Sequence, residues 1–235
     1  MDRYLGLRKR MEQGLRDFTD PTYHKLLPDK EPWDKDRRKT LVLDLDELLV
    51  YKEWTRQAGW KIYKRPGVQD FLLEMAPYYE LVLFTDTPNT YADPIISKLD
   101  PYRQGAAVTY LAIQYRLYRP ETQYHNGKHV RDLSKLNRDL SQVLMLSANP
   151  GAWEFQPENT VKLQPWRKDQ NDTTLLDLIP MLQLIATRGI KDVRDVVRSY
   201  DGEEDVAKAF KARMAQISSQ QKQTNKPRGL LSLAK

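Results

Sequence analysis

The sequence contains no cysteine, and this absence removes several kinds of site. Disulfide bonds, thiolate zinc sites and a cysteine nucleophile are all excluded. Long apolar runs are missing too, since no segment approaches the ~20 residues that cross a membrane. The most apolar segment, residues 175–186, is interrupted by Asp177, Pro180 and Gln183, which indicates a buried helix. The first residues also lack the apolar core of a signal peptide.

Acidic residues are absent from the C-terminal segment, where the positive charge of the chain is concentrated. The net charge is +6, to which residues 206–235 contribute +7, residues 1–38 contribute +2 and residues 39–205 contribute −3. Because the middle of the chain is slightly acidic, we expect it not to bind nucleic acid. The basic tail is predicted to be solvated; the alternative is that it binds an anionic membrane surface or nucleic acid.

Length and composition are typical of one globular domain with tails. The chain has 235 residues, of which 40% are hydrophobic and 30% charged, and this accommodates a domain of about 150–200 residues. Residues 20–38 are rich in proline and charge. We therefore predict an extended N-terminal arm at 1–38, a folded domain at 39–200, and a charged helix with a basic tail at 201–235.

The order of strand-like and helix-like segments predicts the fold class. Strands are predicted at the start of segment 40–50 and at residues 79–85, 143–146 and 161–163, and helices at 66–75, 90–99, Thr174–Thr187, 192–200 and 203–216. Residues 106–123 have a β-like pattern, and Asn126 with Gly127 marks a hairpin turn. This order predicts an α/β domain with a parallel sheet, an inserted β-hairpin and a C-terminal helix.

Polar residues end two of the predicted strands, where parallel sheets place their sites. Asp44 and Asp46 end the first strand, and Thr85 ends the second. One aspartate could attack a phosphorus atom while the other transfers protons. The Thr85 hydroxyl could donate a hydrogen bond to a phosphoryl oxygen. These residue types are those of a phosphoryl-transfer site.

The motifs resemble the haloacid dehalogenase superfamily, and within it the small phosphatases that act on the RNA polymerase II C-terminal domain. The resemblance covers residues 40–200 and includes Lys-Arg-Pro-Gly at 64–67 and Leu-Ser-Lys-Leu-Asn-Arg-Asp-Leu at 133–140. It implies a haloacid-dehalogenase-like, Rossmann-like version of the parallel-sheet fold.

Several positions depart from the catalytic pattern that this resemblance implies. Leu48 stands where the first motif has Thr, and Arg131 stands where the phosphate-binding Lys falls. The third strand ends in Ser147 and Ala148 where the phosphatases have Asp-Asn, and that Asp helps to hold Mg²⁺. Because Mg²⁺ requires hard oxygen ligands in octahedral geometry, we expect it to be held weakly here.

We therefore expect no catalytic residue and no cofactor. Asp44, Asp46, Thr85 and Arg131 are interpreted as a vestigial catalytic set, and no metal site is expected beyond weak Mg²⁺ binding by Asp44 and Asp46. A structural role is the other interpretation of the two aspartates, with hydrogen bonds to the loops after the strands. An active Mg²⁺-dependent phosphatase that forms an aspartyl phosphate remains the alternative function.

Other motifs are closer to a second family. Glu-Trp-Thr-Arg-Gln-Ala-Gly-Trp at 53–60 is similar to the receptor subunits of the mitochondrial presequence translocase, as are Gln-Pro-Glu-Asn at 156–159 and Pro-Trp at 165–166. Ser-Ala-Asn at 147–149 is similar to the plant and algal members. This resemblance implies a non-enzymatic receptor that takes presequence-bearing preproteins and passes them to the channel-forming subunit. A structural subunit of another mitochondrial assembly is a further alternative.

The same resemblance implies a location at the mitochondrial inner membrane, with the domain facing the intermembrane space. The membrane anchor and targeting sequence of that family are not found in this sequence. Membrane association is therefore expected through an anchor upstream of Met1 or through other subunits.

Two contact regions are expected by resemblance. A presequence is a basic amphipathic helix, so its receptor needs an apolar groove edged with acidic groups, expected beside the hairpin. The channel-forming subunit is expected to contact residues 132–140, and the residues predicted for this contact are Asp132, Leu133, Leu136, Asn137 and Leu140. The alternative is that the leucines pack on the sheet.

The remaining candidates have structural interpretations. His125 and His129 flank the hairpin turn without a third ligand, so they are interpreted as turn residues rather than as a metal pair. Trp54, Trp60 and Trp166 are predicted to pack in the core or at its edge.

Overall fold

The computed structural model describes residues 25–32, 38–100 and 112–224. Most of the predicted N-terminal arm, residues 106–111 of the β-like region and the basic tail from residue 225 lie outside the described residues. The division into arm, domain and tail stays a prediction.

A five-stranded parallel sheet forms the centre of the domain. Its strands are β1 (Lys39–Leu43), β4 (Tyr79–Phe84), β5 (Tyr115–Leu117), β8 (Val143–Ser147) and β9 (Thr160–Lys162), in the order β5-β4-β1-β8-β9. Every neighbouring pair is parallel. The three middle strands are apolar and almost entirely buried, as expected for a parallel sheet covered on both faces. The predicted α/β fold class is confirmed.

The α-helices of the described residues are α1 (Val68–Met75), α2 (Asn89–Leu99), α3 (Thr174–Thr187), α4 (Val193–Arg198) and α5 (Val206–Thr224). Val68, Phe71, Leu72 and Met75 form the buried face of α1, as their spacing predicts. α5 begins three residues later than predicted, and its first turns pack against the core. Among these helices, none combines the length and the apolar composition that crossing a bilayer requires.

Each face of the sheet has its own apolar core. Leu41 and Leu43 of β1 belong to the cluster that includes α1 and α3, whereas Val42 belongs to a second cluster, because successive side chains of a strand alternate. The second cluster is completed by Leu27, Leu133 and Leu136, which lie outside the strands.

Two antiparallel hairpins accompany the sheet. In the shorter one, β6 (Gln123–His125) and β7 (Lys128–Val130) are joined by Asn126 and Gly127, which both have positive φ, so the predicted turn is confirmed. The longer one pairs β2 (Val50–Thr55) with β3 (Gly59–Lys64) and is missing from the sequence predictions. It occupies the segment whose motif resembles the translocase receptors.

The longer hairpin also corrects the interpretation of two tryptophans. Trp54 and Trp60 lie opposite each other on β2 and β3 and are 59% and 68% exposed, so the prediction that they pack is wrong. They are exposed because the hairpin forms a separate sheet beyond the central one. Trp166 is 2% exposed, and its prediction is confirmed.

Candidate functional site

The polar residues that end the strands meet at the carboxyl edge of the sheet. Asp44 and Asp46 follow β1, Thr85 follows β4, and Ser147 is the last residue of β8. Because β4 and β8 flank β1, the fold brings all four residues to one place.

Asp44 is fully buried, and both of its carboxylate oxygens accept hydrogen bonds. Oδ1 accepts from the Leu45 N–H at 2.9 Å and from Arg131 Nη2 at 3.0 Å, and Oδ2 accepts from Ser147 Oγ at 2.8 Å. Burial raises the pKa of Asp44, and the opposing effects of Arg131 and Ser147 are smaller. A raised pKa and occupied oxygens both oppose the free carboxylate that nucleophilic attack requires.

Arg131 is as buried as the aspartate it pairs with. Its Nη2 also lies 3.4 Å from the Asp86 carboxylate, and its Nη1 donates to the His129 carbonyl at 2.7 Å. The Nε has no hydrogen-bond partner among the described residues. One nitrogen, Nη2, thus lies near both carboxylates while Nη1 donates to a backbone carbonyl, and the single nitrogen of a lysine could not make this forked set of contacts.

Asp46 lies nearer the surface and pairs with the longer hairpin. Lys52 Nζ on β2 is 2.7 Å from Asp46 Oδ1 and donates to Thr87 Oγ1 at 2.9 Å. The Thr87 hydroxyl donates to Asp46 Oδ2, also at 2.9 Å. Both aspartates are therefore hydrogen-bonded to residues at or after the ends of neighbouring strands, as the structural interpretation holds.

The side chains at these strand ends do not form a ligand set that fits Mg²⁺. The ion requires several oxygen ligands directed at one centre, about 2.1 Å away. Both oxygens of Asp44 are hydrogen-bonded, Asp46 is paired with an ammonium group, and the Ser147 hydroxyl stands where the resembled phosphatases have a carboxylate. Within residues 25–32, 38–100 and 112–224, no group of three or more acidic or histidine side chains is arranged to hold a metal ion.

Thr85 is buried beneath the loop that it begins, and its Oγ1 accepts a hydrogen bond from the Thr87 N–H at 3.1 Å. Three members of the network, Lys52, Asp86 and Thr87, were not among the predicted site residues. Asp86 and Thr87 follow Thr85 directly, so the end of β4 was an available signal for them. No sequence pattern points to Lys52, since it reaches Asp46 only after the hairpin has formed.

Two further ion pairs attach the longer hairpin to the domain. At its base, Arg65 forms hydrogen bonds of 2.7 and 2.9 Å with the two oxygens of Asp172. On one face of β2, the Glu53 carboxylate accepts hydrogen bonds of 2.8 and 2.9 Å from Lys168 Nζ. Burial by itself would raise the pKa of Asp172, but the hydrogen bonds and the charge of Arg65 outweigh it and lower this pKa. The hairpin is thus held at three points.

A cleft of about 550 Å³ opens between this hairpin and the carboxyl edge of the sheet. Acidic and apolar groups share its lining, which consists of Asp46, Glu47, Tyr51, Lys52, Trp60, Asp86, Ala148, Asn149, Pro150 and Pro165. By resemblance, an apolar, acid-edged groove is expected beside the Asn126–Gly127 hairpin, and that expectation stays a prediction; this cleft lies beside the longer hairpin.

The residues predicted to contact the channel-forming subunit do not form one exposed stripe. Leu133 and Leu136 are 1% and 0% exposed and belong to the second core cluster, and Asp132 is buried as well. Asn137 and Leu140 are partly exposed. The two buried leucines pack on the sheet, because their turn covers the apolar face to which Val42 points. A partner contact along residues 132–140 stays a prediction.

His125 and His129 have separate partners. His129 Nδ1 lies 2.9 Å from Thr122 Oγ1, and His125 Nε2 lies 3.9 Å from a Glu154 oxygen. Burial lowers the pKa of His129, with a smaller contribution from Arg119. Both histidines therefore make the contacts of hairpin residues.

Comparison with known families shows a match along most of the folded part. The family described as NLI interacting factor-like phosphatase matches residues 39–194. Among solved structures, "The Structure of Fcp1, an essential RNA polymerase II CTD phosphatase" aligns with a TM-score of 0.42 and 17% identity, over 83% of this chain and 56% of that chain.

Curated proteins named mitochondrial import inner membrane translocase subunit TIM50 are similar to this chain. The Arabidopsis thaliana protein is 43% identical over 210 residues, and the Phytophthora infestans and Emericella nidulans proteins are each 40% identical, over 235 and 237 residues. These alignments cover 89%, 96% and 98% of this chain. They cover 53%, 55% and 43% of the relatives, so the chain spans about half of their length.

Proposed function

The chain belongs to the NLI interacting factor-like phosphatase family, and from this premise we propose that it is a non-catalytic receptor and coupling subunit of the mitochondrial inner-membrane presequence translocase. Relatives that align with most of this chain carry the name of a translocase subunit. In this role the domain faces the intermembrane space, binds presequence-bearing preproteins and passes them to the channel-forming subunit. Its membrane association comes from an upstream anchor or from other subunits.

The cleft beside the longer hairpin is the observation that carries this proposal. A presequence presents an apolar helical face together with basic side chains, and a receptor must meet both. The residues that line the cleft include Tyr51 and Trp60 together with Glu47 and Asp86. Three carboxylates and one lysine line the cleft, and Asp86 and Glu47 are also within 3.4 and 3.1 Å of Arg131 and Arg167, so a cationic ligand would replace these arginines at the two carboxylates.

The apolar surface continues along the hairpin beyond the cleft. Trp54 pairs with Trp60 across the two strands, and Ile62 on β3 is 46% exposed. On α2, Tyr91 is 71% exposed, and its side chain lines a second groove together with Ile62. Large apolar side chains exposed next to one another mark interaction sites, because leaving them in water is unfavourable.

A binding measurement tests this assignment. The dissociation constant of a fluorescent presequence peptide is measured by anisotropy for the wild type, Trp60→Ala and the control Tyr124→Ala, which changes an aromatic residue 48% exposed on the shorter hairpin. We expect Trp60→Ala to weaken binding about tenfold or more, as for a central aromatic contact, and Tyr124→Ala to change it less than about twofold. Equal affinity of all three proteins would contradict the assignment.

The proposed absence of catalysis rests on the contacts of Asp44. Its oxygens are held by Arg131 and Ser147, and burial favours its neutral form. We expect neither the wild type nor Asp44→Asn to hydrolyse p-nitrophenyl phosphate above the buffer rate with Mg²⁺ present. Mg²⁺-dependent turnover by the wild type that is lost in Asp44→Asn would establish the phosphatase alternative instead.

The contact with the channel-forming subunit is proposed at residues 132–140. Asn137 and Leu140 are its partly exposed members. A photo-crosslinking residue in place of Leu140 should capture the channel-forming subunit in mitochondria, whereas one in place of Glu74, on the exposed side of α1, should not. Capture of an unrelated assembly from Leu140 would favour the alternative of a structural subunit elsewhere.

A further inference from the structure

Residues 25–30 of the N-terminal region lie across the turn that covers the second core cluster; we call them the strap. The turn begins with the 3-10 helix Leu133–Leu136, which Asp132 caps by accepting a hydrogen bond from the Ser134 N–H. It ends at Asn137, whose φ of 56° is left-handed. The strap contacts the end of this turn and the residue after it.

The strap contacts the turn through its backbone and through the side chain of Asp29, which accepts a hydrogen bond from Asn137 Nδ2 at 2.8 Å. The Leu26 N–H donates to the Lys135 carbonyl at 2.9 Å. The Leu27 carbonyl accepts from Asn137 Nδ2 at 3.3 Å, and the Pro28 carbonyl accepts from Arg138 Nη1 at 2.7 Å. Main-chain contacts of this kind are how grooves hold extended peptides, because they require an extended shape rather than a particular sequence.

One side chain of the strap supplies the apolar anchor. Leu27 is 2% exposed and belongs to the same cluster as Leu133 and Leu136, whereas Lys25, Pro28 and Asp29 are exposed. Leu26 is partly buried against the same cluster, so the strap presents two neighbouring leucines to it, with Leu27 as the fully buried anchor.

Arg138 connects the strap to a buried ion pair. Its Nε and Nη2 donate to the two oxygens of Glu80 at 2.8 and 2.7 Å, and this leaves Nη1 directed at the Pro28 carbonyl. Thr40 also donates to Glu80, at 2.8 Å. The guanidinium is therefore fixed by the domain whether or not the strap is present, so this part of the groove is preorganised.

We infer that residues 133–138 form a docking groove for an extended peptide with one leucine anchor, and that the strap occupies this groove as an intramolecular ligand. The strap joins β1 through residues 31–38, so its effective concentration at the groove is on the order of millimolar and excludes weak external peptides. An external segment of the same chemistry binds when the strap leaves. A contact of the channel-forming subunit with residues 132–140 rests on the proposed function. In that contact, a segment of the channel-forming subunit replaces the strap in the groove.

A peptide added in trans tests the groove. The probe is a fluorescent peptide with the sequence of residues 24–32, titrated into the full wild-type chain and into the full-length Leu27→Glu variant, in which a buried charge would expel the strap. We expect the peptide to bind Leu27→Glu at least about tenfold more tightly than the wild type, and a control peptide carrying the same substitution not to bind. Equal binding to both chains, or to neither, would overturn the inference.

Amide exchange in the folded wild type gives a test that does not depend on Leu27→Glu folding. If the strap is a ligand, the Leu26 amide exchanges with solvent at least about tenfold faster than the amides of β1, because it opens without unfolding the sheet. Exchange of the Leu26 amide at the rate of the sheet amides would make the strap an integral part of the core and overturn the inference.

A matched pair of variants sharpens the exchange measurement. Asn137→Asp replaces the amide donor with a carboxylate facing the Leu27 carbonyl and Asp29, and aspartate tolerates the left-handed backbone. We expect it to speed Leu26 exchange about threefold or more, while Lys135→Met, which keeps the carbonyl that the strap uses, leaves the rate unchanged. If Lys135→Met speeds exchange of the Leu26 amide more than Asn137→Asp does, the docking groove is contradicted. Neither measurement uses a presequence, so a failure here is distinct from a failure of the receptor proposal.

Discussion

The cleft and the strap-filled groove lie on one domain and differ in what covers them. Trp60 in the cleft is 68% exposed, whereas Leu136 beneath the groove is 0% exposed. The cleft is open, whereas Asp44 and Arg131, at the same edge of the sheet, are paired and buried. The groove has the reverse arrangement, with a strap above it and an apolar core below.

This difference separates the strand-end residues from the two proposed binding surfaces. At the carboxyl edge, hydrogen bonds to Asp44 and the Lys52 ion pair with Asp46 occupy the groups that phosphoryl transfer would use. The proposed presequence-binding surface lies on the longer hairpin, which the central sheet does not contain. The proposed docking groove lies over the second core cluster, where the strap occupies it.

The largest effect is expected from the buried pair of Asp44 and Arg131. Arg131→Met leaves Asp44 buried without its arginine, which should lower the free energy of unfolding by about 3–5 kcal/mol. The exposed control Arg167→Met, which removes the partner of Glu47, should cost less than about 1 kcal/mol. Urea denaturation measures both. A small loss for Arg131→Met would mean that the ion pair does not stabilise the domain.

The next prediction compares the loss of stability at a buried leucine with that at an exposed tryptophan. Leu136→Ala leaves a cavity in the second core and should lower the free energy of unfolding by about 2–5 kcal/mol. Trp60→Ala changes a surface residue and should stay within about 0.5 kcal/mol of the wild type, although it weakens presequence binding. Thermal and urea unfolding check the pair. A large loss of stability from Trp60→Ala would show that the hairpin tryptophan packs in solution.

A smaller effect is expected at the attachment of the hairpin. Lys52→Met removes the ion pair with Asp46, whose partners are 23% and 30% exposed, and should cost about 1 kcal/mol or less. Amides of β2 and β3 should exchange faster, since one of the three attachments is lost. Lys61→Met, at an exposed position of the same hairpin, serves as the control and should leave these amides unchanged. Unchanged amide exchange in Lys52→Met would show that the ion pair between Lys52 and Asp46 does not hold the hairpin in place.

The smallest effect is a change with pH at the exposed face of the hairpin. The hydrogen bond from Lys168 lowers the pKa of Glu53 below its usual value. A lowered pKa in the folded state means that this attachment contributes above the unfolded value of about 4.3 and is lost as the pH falls through the folded value. The titration of the Glu53 carboxyl carbon by NMR should move upward in Lys168→Met. An unchanged midpoint would show that the pair does not form in solution.

Sequence patterns predicted the elements whose signals are local. The face of α1 followed from the spacing of Val68, Phe71, Leu72 and Met75, and the shorter hairpin followed from Asn126 and Gly127. The longer hairpin was missed although Gly59 stands at its turn with a φ of 65°, because charged and apolar side chains share each of its faces, as Lys52 and Trp54 do. A surface hairpin has no buried face to produce the usual pattern.

The residues of the candidate site also include some that the sequence predicted and some that only the tertiary structure revealed. Resemblance to the phosphatases implied that Ser147 stands where they have a carboxylate. Sequence by itself determined that the chain forms a parallel α/β sheet and that Asp44, Asp46 and Thr85 stand at strand ends. These facts depend on residue order and on side-chain periodicity. Only the tertiary structure decided that Lys52 closes on Asp46, that Trp60 overhangs an acidic cleft, and that Leu27 lies over the turn containing Leu136. Each of these contacts joins segments that are separated in the chain, and sequence spacing carries no record of such distances.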